Sequence, residues 1–225
     1  MAGNAVKKCA EIVGQKILDA SSKMLSVGSA GLQCSGGFVK DRNGKILASL
    51  SEVARYSVYV TKQPISGTAE HLNPDTPPPF CAQFAEVEVD KETGVVRVVS
   101  LVTAVDLGFA VNPKRAEGQV EGAVAQGLGF ALSEVMLFDA AGRMTNPTFR
   151  EYCMVGAQDI PYMKTILVTT DEPLGPFGAK SVGKIAVNVS APAIANAVCD
   201  TTGVRLRQLP LSPESIWRAA REPKP

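Results

Sequence analysis

Val6, Ala10, Val13, Ile17, Ala20 and Met24 recur at steps of three and four, and lysines and acids fill the other side. That spacing predicts an amphipathic packing helix over Asn4 to Leu25. Residues 26–44 are rich in Gly and Ser and carry Asp41-Arg-Asn-Gly44 as a turn signal, while Lys45 to Leu50 and Tyr56 to Thr61 read as short strands. Gln63 to Phe80 holds Pro64, Pro74 and the triplet Pro77-Pro-Pro79, so it can run neither as helix nor as central strand. It reads as a surface connector or a subdomain boundary. Phe84 to Asp90 alternates large apolar and acidic side chains, with Ala85 interrupting the period. Lys91-Glu-Thr-Gly94 forms a turn and Val95 to Val105 a longer β run, together a hairpin. Asp106, at the strand end, fits either a turn or cap or a catalytic acid.

The next apolar set, Val120, Ala123, Val124, Gly127, Leu128 and Ala131, has helical spacing and predicts a helix from about Pro113 to Val135. Gly118, Gly122, Gly127 and Gly129 each cost it about 1 kcal/mol against alanine. Two readings stand for these glycines: tight helix packing in the core, or close approach of the backbone to a cofactor. In the second, Gln119 and Gln126, about two turns apart, offer donors and acceptors. Met136 to Arg143 reads as a short strand and turn, Asn146 to Tyr152 as an irregular link, and Met163 to Thr170 as a strand. Asp171 and Glu172 read as solvated turn residues. A helix over Ala191 to Asp200 would take Pro192 at its first position and Gly203 as its C-cap. Ser212-Pro213 opens a last helix through Ile216-Trp217. The fold class is α/β (α+β), mixed strands with packed helices, in two modest subdomains over residues 1–79 and 80–225.

Composition narrows the function. The 225 residues are 45% hydrophobic and 20% charged with a net charge of +1, which argues against an electrostatic nucleic-acid binder. No apolar run approaches a membrane span, and Met1-Ala-Gly-Asn lacks the basic start and apolar core of a signal peptide. The five cysteines are scattered without a C-x-x-C, as in reduced thiols of a cytoplasmic protein. With His71 as the one histidine, no histidine-based zinc site is expected.

The densest chemistry lies in Gly175-Pro-Phe-Gly-Ala-Lys-Ser-Val-Gly-Lys-Ile185. A glycine-rich turn entering a helix exposes backbone N–H groups to an anion or cofactor. The stretch almost fits G-x-x-x-x-G-K-[ST], but Ile185 stands where a nucleotide loop needs a hydroxyl for Mg²⁺. The same residues resemble the loop beside the metal in the large subunits of molybdenum hydroxylases of the xanthine dehydrogenase/xanthine oxidase family. Gly118-Gln-Val-Glu-Gly-Ala-Val-Ala-Gln-Gly-Leu-Gly129 is similar to that family's cofactor helix. Ser190-Ala-Pro-Ala-Ile-Ala-Asn-Ala197 and Thr202-Gly-Val-Arg-Leu-Arg207 resemble its C-terminal ending. The match is nearly continuous from about Phe80, and Gly3-Asn-Ala-Val6 resembles the middle of a much longer subunit.

The resemblance implies the C-terminal portion of a molybdopterin-binding domain. It implies a molybdenum–molybdopterin cofactor, in mono- or dinucleotide form, held by hydrogen bonds from Gln119 and Gln126. The backbone of Gly178, Ala179, Lys180, Ser181, Val182 and Gly183 would border the metal. It implies hydroxylation of aromatic heterocycles or aldehydes with oxygen from water. The partners would be an N-terminal molybdenum-binding chain, an iron–sulfur subunit and a flavin subunit carrying FAD. By that resemblance the chain is a separate C-terminal piece of a divided subunit or a truncated product. One position departs from the pattern: the family's general-base glutamate is Lys184 here. A general base needs a pKa near working pH, and lysine starts as a cation. Two readings follow, a hydroxylase subunit supplying part of the cofactor site, or a noncatalytic homologue that keeps the packing and interaction surfaces.

Overall fold

The first apolar stripe forms helix α1, Ala2–Leu25, whose Ile17, Leu18, Ala20 and Met24 pack on a small core of Leu32, Val39, Ala48 and Val53. The computed structural model describes residues 2–73 and 75–221, so Pro74 of the connector lies outside the described residues. The chain divides into two units, one over Met1–Thr76 with Leu174–Pro176, the other over Pro77–Pro173 with Phe177–Pro225.

In the first unit, β1 (Leu32–Ser35), β2 (Phe38–Asp41) and β3 (Ile46–Ser49) form an antiparallel sheet in that order. The Gly/Ser-rich stretch thus contains two strands. They meet at Gly36-Gly37, both at positive φ, the backbone that a two-residue hairpin turn requires. The expected strand over Tyr56 to Thr61 is instead helical. Helix α2, Leu50–Arg55, runs on into a π-helical turn over Tyr56–Val60. Ser49 and Glu52 form a reciprocal capping box, with Glu52 N–H donating to Ser49 Oγ at 3.2 Å and Ser49 N–H to Glu52 Oε2 at 2.7 Å. This start signal outweighs the β-branched and aromatic run after it. The apolar side chains of that run buy no core either, since Tyr59 and Val60 stay exposed.

The second unit holds the hairpin. Strands β4 (Phe80–Val89) and β5 (Val96–Asp106) pair antiparallel, and β6 (Tyr162–Val168) joins β5 in parallel. A parallel pair needs a crossover, which α3 (Pro113–Leu132) provides. Asn112 caps it by accepting from Arg115 N–H at 3.0 Å, with Pro113 in the first turn. The strand expected over Met136 to Arg143 reduces to one bridge, Phe138 with Met144, around a turn held by Asp139.

Helix α4 spans Ile185–Thr202 and so starts six residues before the expected Ala191. Pro192 therefore sits inside the helix, not at its first position. The reason is burial: Ala186, Ser190, Ile194 and Val198 recur every four residues and are all buried. Pro192 deprives the Asn188 carbonyl of its helical donor, but Asn188 is exposed to water. Gly203 closes α4 in the left-handed conformation, φ 72°. Ser212 Oγ accepts from Ser215 N–H to open α5, Pro213–Arg221. Leu101, Val105, Val120, Val124, Leu128, Ile194 and Val198 form the core between one face of the sheet and the two long helices.

Candidate functional site

The loop after β6 is clamped to the end of β5. Phe109 N–H donates to the Gly178 carbonyl and Lys180 N–H to the Leu107 carbonyl, each at 2.7 Å. Gly108 sits between them at φ 66°, where a Cβ would run into the Gly178 carbonyl. Only glycine permits this approach. Gly178 also has positive φ, 80°, and Phe177 before it takes φ 56°, rare for a residue with a side chain.

Asp106 locks the clamp from beneath. Its Oδ1 accepts from Thr170 Oγ1 at 2.6 Å and Gly108 N–H at 3.1 Å, and its Oδ2 from Lys180 Nζ at 2.7 Å. The side chains of Lys180 and Asp106 are only 8% and 14% exposed, so the pair is shielded from water. The hydrogen bond from Lys180, then that from Thr170, lowers the Asp106 pKa from 3.8 to about 2. A carboxylate with both oxygens occupied and so low a pKa is a poor proton acceptor. Asp106 is the anchor of the loop, which decides between the two roles open to it in the sequence.

The clamp brings several of the sequence-predicted residues together. Ala179, Lys180 and Val182 form one wall of a cavity of about 240 Å³, and Gln119 and Arg115 on α3 form another, with Phe109 at its side. Gln119 is exposed, and its amide makes no hydrogen bond among the described residues. Lys180 contributes less than expected, since its N–H and its ammonium are both engaged within the chain. Ser181 and Gly183 are exposed. Gln126 and Lys184 form a separate pair at the surface, Lys184 Nζ donating to Gln126 Oε1 at 2.8 Å just before α4 begins.

The four glycines of α3 divide between the two readings. At Gly127 a Cβ would lie 2.5 Å from Ser190 Cβ and 3.1 Å from the Val187 carbonyl, so this glycine serves tight packing of α3 on α4. At Gly129 it would meet the Glu134 side chain. At Gly118 and Gly122 it would meet nothing within 4 Å. Gly118, Gly122 and Gln126 are spaced by four and share one face of the helix, beside Gln119. This bare backbone strip, next to an unengaged amide and a cavity, fits a flat group bound through hydrogen bonds. Among the described residues no cluster of three or more His, Cys, Asp or Glu is placed to ligate a metal. Sequence reasoning missed Thr170, whose bond to Asp106 spans 64 positions, and Arg115, whose charge on the cavity rim follows no motif.

Comparison with known proteins gives a family. Residues 1–161 match the molybdopterin cofactor-binding domain model. The chain is 36% identical over 220 residues to the probable hypoxanthine oxidase XdhD of Escherichia coli (strain K12), covering 96% of this chain and 23% of that protein. It is 29% identical to the 6-hydroxypseudooxynicotine dehydrogenase complex subunit gamma of Paenarthrobacter nicotinovorans, again over 96% of this chain and 28% of that one. The structure of quinoline 2-oxidoreductase from Pseudomonas putida 86 superposes with a TM-score of 0.79 at 25% identity, over 95% of this chain and 28% of that chain. The chain thus spans about a quarter of the length of the curated relatives it matches.

Proposed function

Since this chain belongs to the molybdopterin cofactor-binding domain family of the molybdenum hydroxylases, we propose that it forms one wall of the cofactor site in a hydroxylase of aromatic heterocycles or aldehydes. One observation carries the reading: the unengaged Gln119 amide, beside the bare Gly118–Gly122 backbone, faces a cavity walled by Ala179, Lys180 and Val182.

In this reading Gln119 holds the pterin through its amide, and Gln126 is a second contact further along α3. The backbone from Gly178 to Gly183 borders the metal, stiffened by the Asp106 anchor so that its position does not drift. When bound, the molybdenum–molybdopterin supplies two-electron oxidation with oxygen derived from water. The chain's own residues bind, orient and shield. Lys184 is the exception to a complete site, because a lysine stands where the family resemblance places a glutamate and its Nζ donates to Gln126 Oε1. The rest of the subunit, and iron–sulfur and FAD subunits that carry electrons away, are partners in the same proposal, which also takes a cytoplasmic setting and two subdomains over residues 1–79 and 80–225.

The test is Gln119→Ala in the assembled enzyme, with molybdopterin measured per mole of chain. Pterin content should fall while the assembly stays intact. Unchanged content would overturn the proposed contact. A second reading, the noncatalytic homologue, is favoured by Lys184 alone. It predicts that the intact assembly lacks turnover even when its pterin content is full.

A further inference from the structure

The cavity between α3 and the clamped loop carries a charge that no described residue neutralises. Among the residues lining it, the cations are Arg115 and Lys180. Lys180 is already paired, its ammonium bonded to Asp106 at 2.7 Å. Arg115 is exposed, and its guanidinium makes no hydrogen bond or ion pair among the described residues. Its bond to Asn112 Oδ1, 3.0 Å long, comes from the backbone N–H. No acid lines the cavity. The acids of α3 turn away from it: Glu117 and Glu121 lie roughly 200° and 240° round the helix from Arg115. Gln119 lies only about 40° round from it and about 6 Å further along the axis. Arg115 also stands in the first turn of α3, where the helix dipole adds partial positive charge.

We propose that Arg115 is the anion-binding residue of this wall and takes the phosphate group of the pterin cofactor, so that the bound group lies along α3 with its anionic arm toward the start of the helix. The inference rests on the functional reading above and assigns a residue that no motif singles out. Position and chemistry select the ligand. The flat group over Gly118 and Gly122 is held by Gln119, so what Arg115 meets one turn earlier is attached to that group. A guanidinium presents a rigid fork of N–H donors and stays charged throughout the physiological range. That suits the oxygens of a phosphate and offers little to an uncharged ring. A substrate carboxylate could meet the same cation only by sharing with the pterin a cavity of about 240 Å³. The pairing is open to water, so salt screens it, unlike the shielded bond between Lys180 and Asp106.

The experiment dilutes the assembled enzyme into low or high chloride and follows the pterin retained per chain, by fluorescence after oxidative release. At low salt Arg115→Ala should hold pterin roughly 10- to 100-fold more weakly than wild type, as loss of a hydrogen bond to a charged group does. Arg115→Lys, which keeps the charge without the fork, should lie between, and high chloride should narrow the gap. Lys114→Ala removes a neighbouring cation that does not line the cavity and should match wild type. Inorganic phosphate is the direct probe. It should lower retention by wild type below that in chloride of equal ionic strength, and do no more than chloride in Arg115→Ala. The Arg115 side chain is exposed and unbonded, so thermal melts of wild type and Arg115→Ala should coincide. Wild-type retention in Arg115→Ala, while Gln119→Ala sheds pterin, overturns the inference and leaves the functional reading standing. Wild-type retention in both variants sinks both. Unchanged retention in Arg115→Ala with a raised KM for a carboxylate-bearing heterocycle assigns the cation to the substrate and overturns the proposal.

Discussion

At the scale of single residues, the site turns on two lysines with opposite consequences. Lys180 is held by Asp106, and removing it as Lys180→Met would leave a shielded carboxylate unpaired, at a cost of about 3–5 kcal/mol in stability. The same pair sets a pH dependence. A folded-state pKa of about 2 against an ordinary 3.8 means that the bond contributes fully above pH 4 and is lost as pH falls toward 2. The contribution is about 2 kcal/mol, and thermal melts of wild type and Asp106→Asn should converge across that window. Parallel melting curves from pH 5 to 2 would count against the anchor. Lys184 has no such burial. It precedes the first turn of α4, where the helix dipole favours an anion, and Gln126 could turn its amide to donate to a carboxylate at that position. Lys184→Glu in the assembled enzyme should therefore raise turnover of heterocycles or aldehydes by roughly 10²–10⁴-fold at matched molybdenum content, the usual share of a positioned general base. Equal or lower turnover would mean that Lys184 has a task of its own.

At the scale of elements, α3 carries two kinds of glycine, and substitution should separate them. Gly127→Ala forces a methyl against Ser190 and the Val187 carbonyl and should destabilise the chain by about 1–3 kcal/mol. Gly118→Ala and Gly122→Ala meet nothing and should stabilise it by up to about 1 kcal/mol through helix propensity, yet lower pterin content in the assembly. Denaturant melts and pterin assays read the two effects independently. The sequence alone could not divide these glycines, because the partner of Gly127 lies 63 positions away on α4. Elements whose signals are local were legible: the β4–β5 hairpin with its Gly94 turn, the Asn112-Pro113 start of α3, the Gly203 cap and the Ser212 cap. Tyr56–Val60 was misread because its β-branched pattern is also local, while the deciding signal, Ser49 with Glu52, sits upstream. The early start of α4 was hidden for a related reason, as Pro192 marks a helix beginning unless the burial of Ala186 and Ser190 is known. Family resemblance named a set of candidate site residues, but their geometry was not legible in the sequence. The clamp joins Asp106 to Thr170 and Lys180 across 64 and 74 positions, and no spacing rule reports such a contact.

At the scale of the whole molecule, the proposed function gives the chain one wall of a site and too little surface to hold a cofactor by itself. Its cavity is about 240 Å³ and open to water, smaller than the roughly 300–1,000 Å³ that enclose a ligand of ordinary size. Gln119 supplies one amide there, and a single hydrogen bond to solvent-exposed partners contributes on the order of 1 kcal/mol. Binding must also offset the cost of immobilising the ligand, about 4 kcal/mol or more. The isolated chain should therefore retain no pterin through gel filtration. The same chain in an assembly with the rest of its subunit should carry it near one per chain. Pterin fluorescence after oxidative release, normalised to protein, reads both states directly. A lone 23.7 kDa chain that elutes with stoichiometric pterin and hydroxylates substrate would show that one wall suffices, and the proposal of a shared site would then be wrong.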